Sequence, residues 1–259
     1  RTITNMPKKK NKKQRQKGRS TLGSTGVNEN ENSSHQASTA LTPNQFQTQL
    51  EQLFQTRPRQ KTSKPQPNQH NKLQSNDLYQ GIFFVHNFLS EKECQQLIHL
   101  TEALGYAQTN QQETRFSAHR RNGRIQCFTA QVASQLFKRC RHLFPSAKDA
   151  MQPVGLSSNF RFYKYQPGDR FGMHVDDSNE VEEGITCFTL LVYLNQNLTG
   201  GSTKFYIGSN PKKARLVLEV QPEEGGALAH EHFPHCLLHE GSQVEQGIKY
   251  LMRTDVVFS

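Results

Sequence analysis

Two stretches in the C-terminal half carry the side chains best suited to chemistry. The first is Arg170-Phe-Gly-Met-His174-Val-Asp176-Asp177. On a strand alternate side chains share a face, so His174 and Asp176 point one way and Asp177 the other. One imidazole and one carboxylate on a face can grip a metal, but the pair needs a third ligand. The second stretch, Ala229-His230-Glu-His232-Phe-Pro-His235-Cys-Leu-Leu-His239-Glu-Gly241, offers four histidines for that place. Two histidines and one carboxylate that leave positions open on the ion form the facial triad of non-haem Fe(II) oxygenases. His239 is the choice, because it ends a small apolar strand and precedes a glycine turn. His235 is the alternative, and His230 and His232 are expected in a surface loop.

A third stretch, Gly247-Ile-Lys249-Tyr-Leu-Met-Arg253-Thr-Asp-Val, opens an apolar strand on a lysine. Lys249 and Arg253 stand four apart, on one strand face. A charge in such a strand needs a partner, and an acidic ligand would supply it.

The elements that hold these residues follow from periodicity and punctuation. Order is expected from about Leu78, with a strand over 81–89. Ser90 opens a helix, Glu93 completes a capping box and Gly105 stops it. A second helix is expected over 130–144. From Asn159 onward eight short strands follow, over 160–166, 171–176, 186–195, 203–207, 215–220, 226–230, 235–239 and 248–258, separated by Gly, Pro and Asn. The gaps are too short for crossover helices, so a sandwich or jelly roll is expected rather than a parallel sheet. The basic, Gly-containing run Ser117–Ile125 reads as a loop that gates the site or meets an acidic substrate, or as ordinary surface.

Charge divides the chain near residue 78. Of 259 residues, 32 are Lys or Arg and 22 Asp or Glu, a net of +10. Residues 1–78 hold 14 of the basic and 4 of the acidic side chains, so the remainder is neutral. This argues against a globular body built to grip nucleic acid, which shows a basic face. Residues 1–78 are rich in Gln, Asn, Ser, Thr and Lys and read as a disordered tail, with a short helix over 45–55. The run Pro7–Arg19 suits nuclear import or contact with nucleic acid. No apolar run approaches the ~18 residues of a membrane helix. Five cysteines without a C-x-x-C point to a reducing compartment, hence an intracellular protein of nucleus or cytoplasm. The chain begins at Arg1, so it reads as a fragment.

Taken together, His174-x-Asp176, His239 and Lys249 ten residues further resemble the Fe(II)/2-oxoglutarate dioxygenase superfamily, in particular its prolyl 4-hydroxylase alpha-subunit catalytic domain type. Further support comes from Phe162-Tyr-Lys-Tyr165-Gln-Pro-Gly168, Thr189-Leu-Leu-Val-Tyr193-Leu-Asn195 and Gly200-Gly-Ser-Thr203-Lys-Phe205. The resemblance covers roughly residues 79–259 and leaves 1–78 without a counterpart.

It implies an α+β, mainly β fold: a double-stranded β-helix (jelly roll) core with flanking N-terminal helices behind the tail. It implies His174, Asp176 and His239 as Fe(II) ligands and Lys249 as partner of the distal carboxylate of 2-oxoglutarate. Tyr165 and Tyr193 match positions that bind this cosubstrate, and Arg253 is the alternative carboxylate partner. The implied reaction consumes O2 and 2-oxoglutarate, releases succinate and CO2, and hydroxylates a protein or peptide side chain, prolyl first. Ascorbate would restore oxidised iron. Two other functions remain: an AlkB-like nucleic-acid demethylase attached by the basic tail, and a non-catalytic jelly-roll binding module.

Overall fold

The computed structural model describes residues 40–55, 73–114, 118–144, 151–208 and 212–259. The basic run at 7–19 lies outside the described residues.

Helix α1 (Pro43–Phe54) starts on a capping box, in which Thr42 and Gln45 satisfy each other's backbone N–H groups. Helix α2 (Glu91–Leu104) repeats the device with Ser90 and Glu93 and stops at Gly105, whose φ of +85° suits glycine. Helix α3 (Ala130–Cys140) is capped by Thr129 and tightens into a 3-10 turn over Arg141–Leu143.

Helix α1 matches the short helix expected over 45–55, and its buried stripe corrects the expectation that the chain is disordered up to residue 78. Phe46, Leu50 and Phe54 recur every four residues, form one stripe and are buried. Phe46 meets Phe162 edge to face at 5.9 Å. The polar average of the segment conceals these three side chains.

The strands, in chain order, are β1 (Ser75–Tyr79), β2 (Ile82–Val85), β3 (Ala107–Gln111), β4 (Arg120–Phe128), β5 (Pro153–Leu156), β6 (Asn159–Tyr165), β7 (Arg170–His174) and β8 (Glu180–Val181). They continue as β9 (Gly184–Tyr193), β10 (Thr199–Gly200), β11 (Thr203–Ile207), β12 (Arg215–Val220), β13 (Ala227–Glu231), β14 (Leu238–Gly241), β15 (Val244–Gln246) and β16 (Lys249–Phe258). The main sheet runs β1-β2-β13-β9-β16-β6-β4-β7-β14-β11-β12, and β10 pairs with β15 apart from it. Neighbours pair antiparallel. The result is a mainly β, nearly closed jelly roll with few helices.

Both faces of the central strands are covered, which explains their unbroken apolar runs. Phe160, Phe162, Leu190, Val192 and Met252 pack in the cluster that includes the helices. The alternate residues Tyr163, Tyr165, Leu191, Tyr193 and Leu251 belong to a second cluster. The run read as a loop over 117–125 is largely strand β4, which pairs with β6 and β7. Its Arg, Asn and Gly residues are poor strand formers, and pairing on both sides overrides that preference.

Candidate metal centre and its cavity

Antiparallel pairing of β7 and β14 sets His239 opposite His174, with ring centroids 4.2 Å apart. Asp176 lies two residues past the end of β7. Its Oδ1 is 3.7 Å from His174 Nε2 and its Oδ2 is 3.7 Å from His239 Nε2. Ligand atoms of the three residues all lie within 4.8 Å of one another. The structure thus brings together the three side chains that the sequence singles out as metal ligands.

The backbone sets both imidazoles. Nδ1 of His174 donates to the Gly172 carbonyl at 2.8 Å, and Nδ1 of His239 to the Leu237 carbonyl at 2.9 Å. With the proton on Nδ1, the Nε2 lone pair faces the centre. Burial, and next the neighbouring His239, push His174 down to about 3, and burial lowers His239 as well. Both rings are therefore neutral at physiological pH, the form that ligates a metal.

Asp176 is held as a carboxylate. Burial alone would raise its pKa, but Arg253, and then His239 and His230, hold it well below the usual carboxylate range. Thr189 Oγ1 donates to its Oδ2 at 2.7 Å. On the outer side Phe171 stacks on His174 at 3.7 Å, and the Arg120 guanidinium lies 3.9 Å from the same phenyl centroid. Two groups that close to one ring centre fit only on opposite faces of it.

Lys249 opens β16 and is 3% exposed. Its Nζ donates to the Gly201 carbonyl at 2.5 Å and stands 5.7 and 5.5 Å from the rings of Tyr165 and Tyr193. Among the described residues no carboxylate pairs with it, and burial pulls the amine down to about 7. Gly200 and Gly201, at φ of +73° and +67°, form the turn that aims this carbonyl. A Cβ on Gly201 would lie 3.2 Å from Lys249 Cδ. One narrow cavity is lined by His174, Asp176, His239 and Lys249 together.

The other expected residues divide. Tyr165 borders the cavity beside Lys249, whereas the Tyr193 hydroxyl is engaged with Thr203 Oγ1 at 2.7 Å. Arg253 is occupied by Asp176 and by Asp255, at 3.0 and 3.3 Å. His235 is exposed and outside the cluster. His230 and His232 are buried, each 3% exposed, which corrects the expectation of a surface loop. The reason is that β13 is paired on both sides, with β2 and β9, and carries His230 inside. Sequence reasoning gave Thr189, Phe171 and Arg120 no individual role, although Arg120 lies in the run read as a gate to the site and Thr189 opens a stretch that carried the resemblance. Period-two alternation along Thr189, Leu191 and Tyr193 was the signal for the first of these.

The sequence model of the poxvirus C4/C10 protein family matches residues 85–259. The chain belongs to this family. A curated relative, the uncharacterized protein FPV006/FPV255 of fowlpox virus (strain NVSL), is 28% identical over 116 residues. That stretch is 44% of this chain and 25% of the relative, so the match spans about a quarter of the relative's length. Among solved structures, the viral collagen prolyl hydroxylase of Paramecium Bursaria Chlorella virus-1, in its 2OG complex, superposes with a TM-score of 0.50 at 19% identity. That match covers 68% of this chain and 95% of the other. A Pseudomonas putida prolyl-4-hydroxylase gives a TM-score of 0.47 at 14% identity, over 68% and 92% of the two chains. At 19% identity the likeness to the viral enzyme is one of fold. No helix among the described residues is long and apolar enough to cross a membrane.

Proposed function

We propose that this member of the family is an Fe(II)- and 2-oxoglutarate-dependent dioxygenase that hydroxylates a side chain of a protein or peptide, prolyl being the first class to test. The observation that carries the reading is Lys249: a buried cation without a carboxylate partner among the described residues, in the same cavity as the His174, Asp176 and His239 cluster. A buried charge needs a partner, and a dicarboxylate that reaches the cluster at one end and Lys249 at the other provides one.

In this reading His174, Asp176 and His239 hold Fe(II), a donor set suited to non-haem iron. The bound iron supplies O2 activation coupled to decarboxylation of 2-oxoglutarate to succinate and CO2. The protein's own part is positioning. The Gly172 and Leu237 carbonyls keep both Nε2 atoms unprotonated, and Arg253 keeps Asp176 ionised. Lys249 takes the distal carboxylate and becomes fully protonated as it does so. Arg253 is committed to Asp176 and Asp255, which favours Lys249 as the anchor. Buried Tyr163 and Tyr165 give the cavity an aromatic wall.

The test is formation of succinate from 2-oxoglutarate with Fe(II), O2 and a panel of prolyl peptides, followed by mass spectrometry of the peptides. Wild type is expected to form succinate, and Asp176→Ala and Lys249→Ala to form none. Metal binding without succinate across peptide and nucleic-acid substrates would oppose an enzymatic role and favour a binding module.

A further inference from the structure

His230 is a buried histidine that the triad does not use. It lies near the end of β13, a strand that pairs with neither β7 nor β14, and it lines the same cavity at 3% exposure. Its Nε2 lies 3.6 Å from Asp176 Oδ2, against 3.7 Å from an Asp176 oxygen for each of His174 and His239. Its ring centroid is 4.5 Å from that of His239, and Phe205 packs edge to face with it at 5.4 Å. Three imidazole Nε2 atoms therefore surround one carboxylate at nearly equal distance.

A buried histidine is ordinarily satisfied by hydrogen bonds. The contacts of His230 Nδ1 are long: 3.3 Å to the Glu231 carbonyl and 4.0 Å to Cys236 Sγ. Hydrogen bonds of this type cluster near ~2.9–3.0 Å. His230 also forms part of a second cluster, with Cys236 and His239. Cys236 meets His239 at Nδ1, the nitrogen already committed to the Leu237 carbonyl, and its Sγ accepts the backbone N–H of Asp176 at 3.2 Å. Nδ1 of His230 thus faces the Glu231 carbonyl, and its Nε2 faces Asp176.

We infer that His230 is a fourth protein ligand, completing a set of three histidines and one aspartate. The inference rests on the metal-centre reading above and specifies its coordination. Four side chains leave two positions on a six-coordinate ion. A chelating 2-oxo acid fills both, so O2 chemistry at this site requires His230 to leave the ion.

The test counts ligands and does not depend on turnover. Full-length protein is loaded with Cu(II), and pulsed EPR counts the coordinated imidazoles. Co(II) affinity is measured in parallel by calorimetry. Wild type is expected to show three imidazoles. His230→Phe, which retains the contact with Phe205, and His230→Gln should each show two, with Co(II) binding weakened roughly 10- to 100-fold, as loss of even a supporting partner does. Thermal unfolding of the metal-free variants controls for folding. Two imidazoles in wild type, or unchanged binding in both variants while His174→Ala loses the ion, would overturn the inference and leave the triad intact. Unchanged binding in His174→Ala and His239→Ala would remove the metal centre itself. Loss of the ion in Cys236→Ser but not in His174→Ala would place the ligands at His230, Cys236 and His239, and would also overturn the inference.

Discussion

Arg253 meets Asp176 fork to fork, with Nη1 3.1 Å from Oδ1 and Nη2 3.0 Å from Oδ2. The same guanidinium reaches Asp255, which in turn pairs with Arg161. The Asp176 carboxylate, past the end of β7, is thereby tied to the long strand β16. Two parallel bonds fix both the position of Asp176 and its charge.

Removing one partner of a buried pair leaves the other charge uncompensated, at a cost of about 3–5 kcal/mol. Arg253→Leu is expected to lower the melting temperature by roughly 6–20 °C, for a folded body of this size. Arg253→Lys should not restore it, because an ammonium cannot make the two parallel bonds. Thermal unfolding followed by circular dichroism tests both, and wild-type melting of the lysine variant would contradict this role of the fork.

Lys249 gives a pH dependence of definite sign. Burial lowers its pKa from the usual 10.5 to about 7. The unfolded chain therefore holds more protons between those values, so this residue makes the ligand-free protein more stable as pH rises from about 7 toward 10.5. Lys249→Met, which removes the buried charge and keeps the stem, is expected to melt higher than wild type at pH 7 without ligand. A lower melting temperature would show that the amine is stabilised by something else.

Binding of 2-oxoglutarate should have the opposite slope. The ligand is an anion and needs the ammonium, so above about 7 each binding event draws a proton from solvent. Calorimetry at pH 8 in buffers of different ionisation enthalpy should report close to one proton taken up, and affinity falling as pH rises further. Proton uptake near zero at pH 8 would remove Lys249 as the anchor.

How much of this was legible in the sequence depends on whether the signal was local. The capping box of Ser90 and Glu93 and the stop at Gly105 are contained within one helix, and the structure has them as expected. The eight later strands were legible because glycine, proline and asparagine bound them, and the central ones, β9 and β16, because both of their faces are buried. His174, Asp176 and His239 could be proposed from residue type and spacing. The role of Arg253 could not, since its partner Asp176 is 77 residues away. Strand β4 was hidden for a related reason: its Arg and Asn residues form a strand only because β6 and β7 pair with it. The burial of His230 likewise depends on neighbours, β2 and β9, that no local pattern announces.

Helix α1 leads to a prediction about where the folded body starts. Truncating a buried phenylalanine to alanine costs about 3–5 kcal/mol. Phe46→Ala is expected to lower stability by that order, and a chain starting at residue 79 to unfold at lower denaturant concentration than one starting at residue 40. Equal midpoints would mean that the contact of Phe46 with Phe162 contributes nothing.

The central claim is that one cavity binds both a metal and a 2-oxo acid. The measurement that tests it most directly is anaerobic addition of Fe(II) and then 2-oxoglutarate to the purified protein, followed by visible absorption. Wild type is expected to show a weak metal-to-ligand charge-transfer band, absent from His174→Ala and from Lys249→Ala, with the Lys249 variant still binding the metal. Absence of the band in wild-type protein shown separately to hold Fe(II) would contradict the claim.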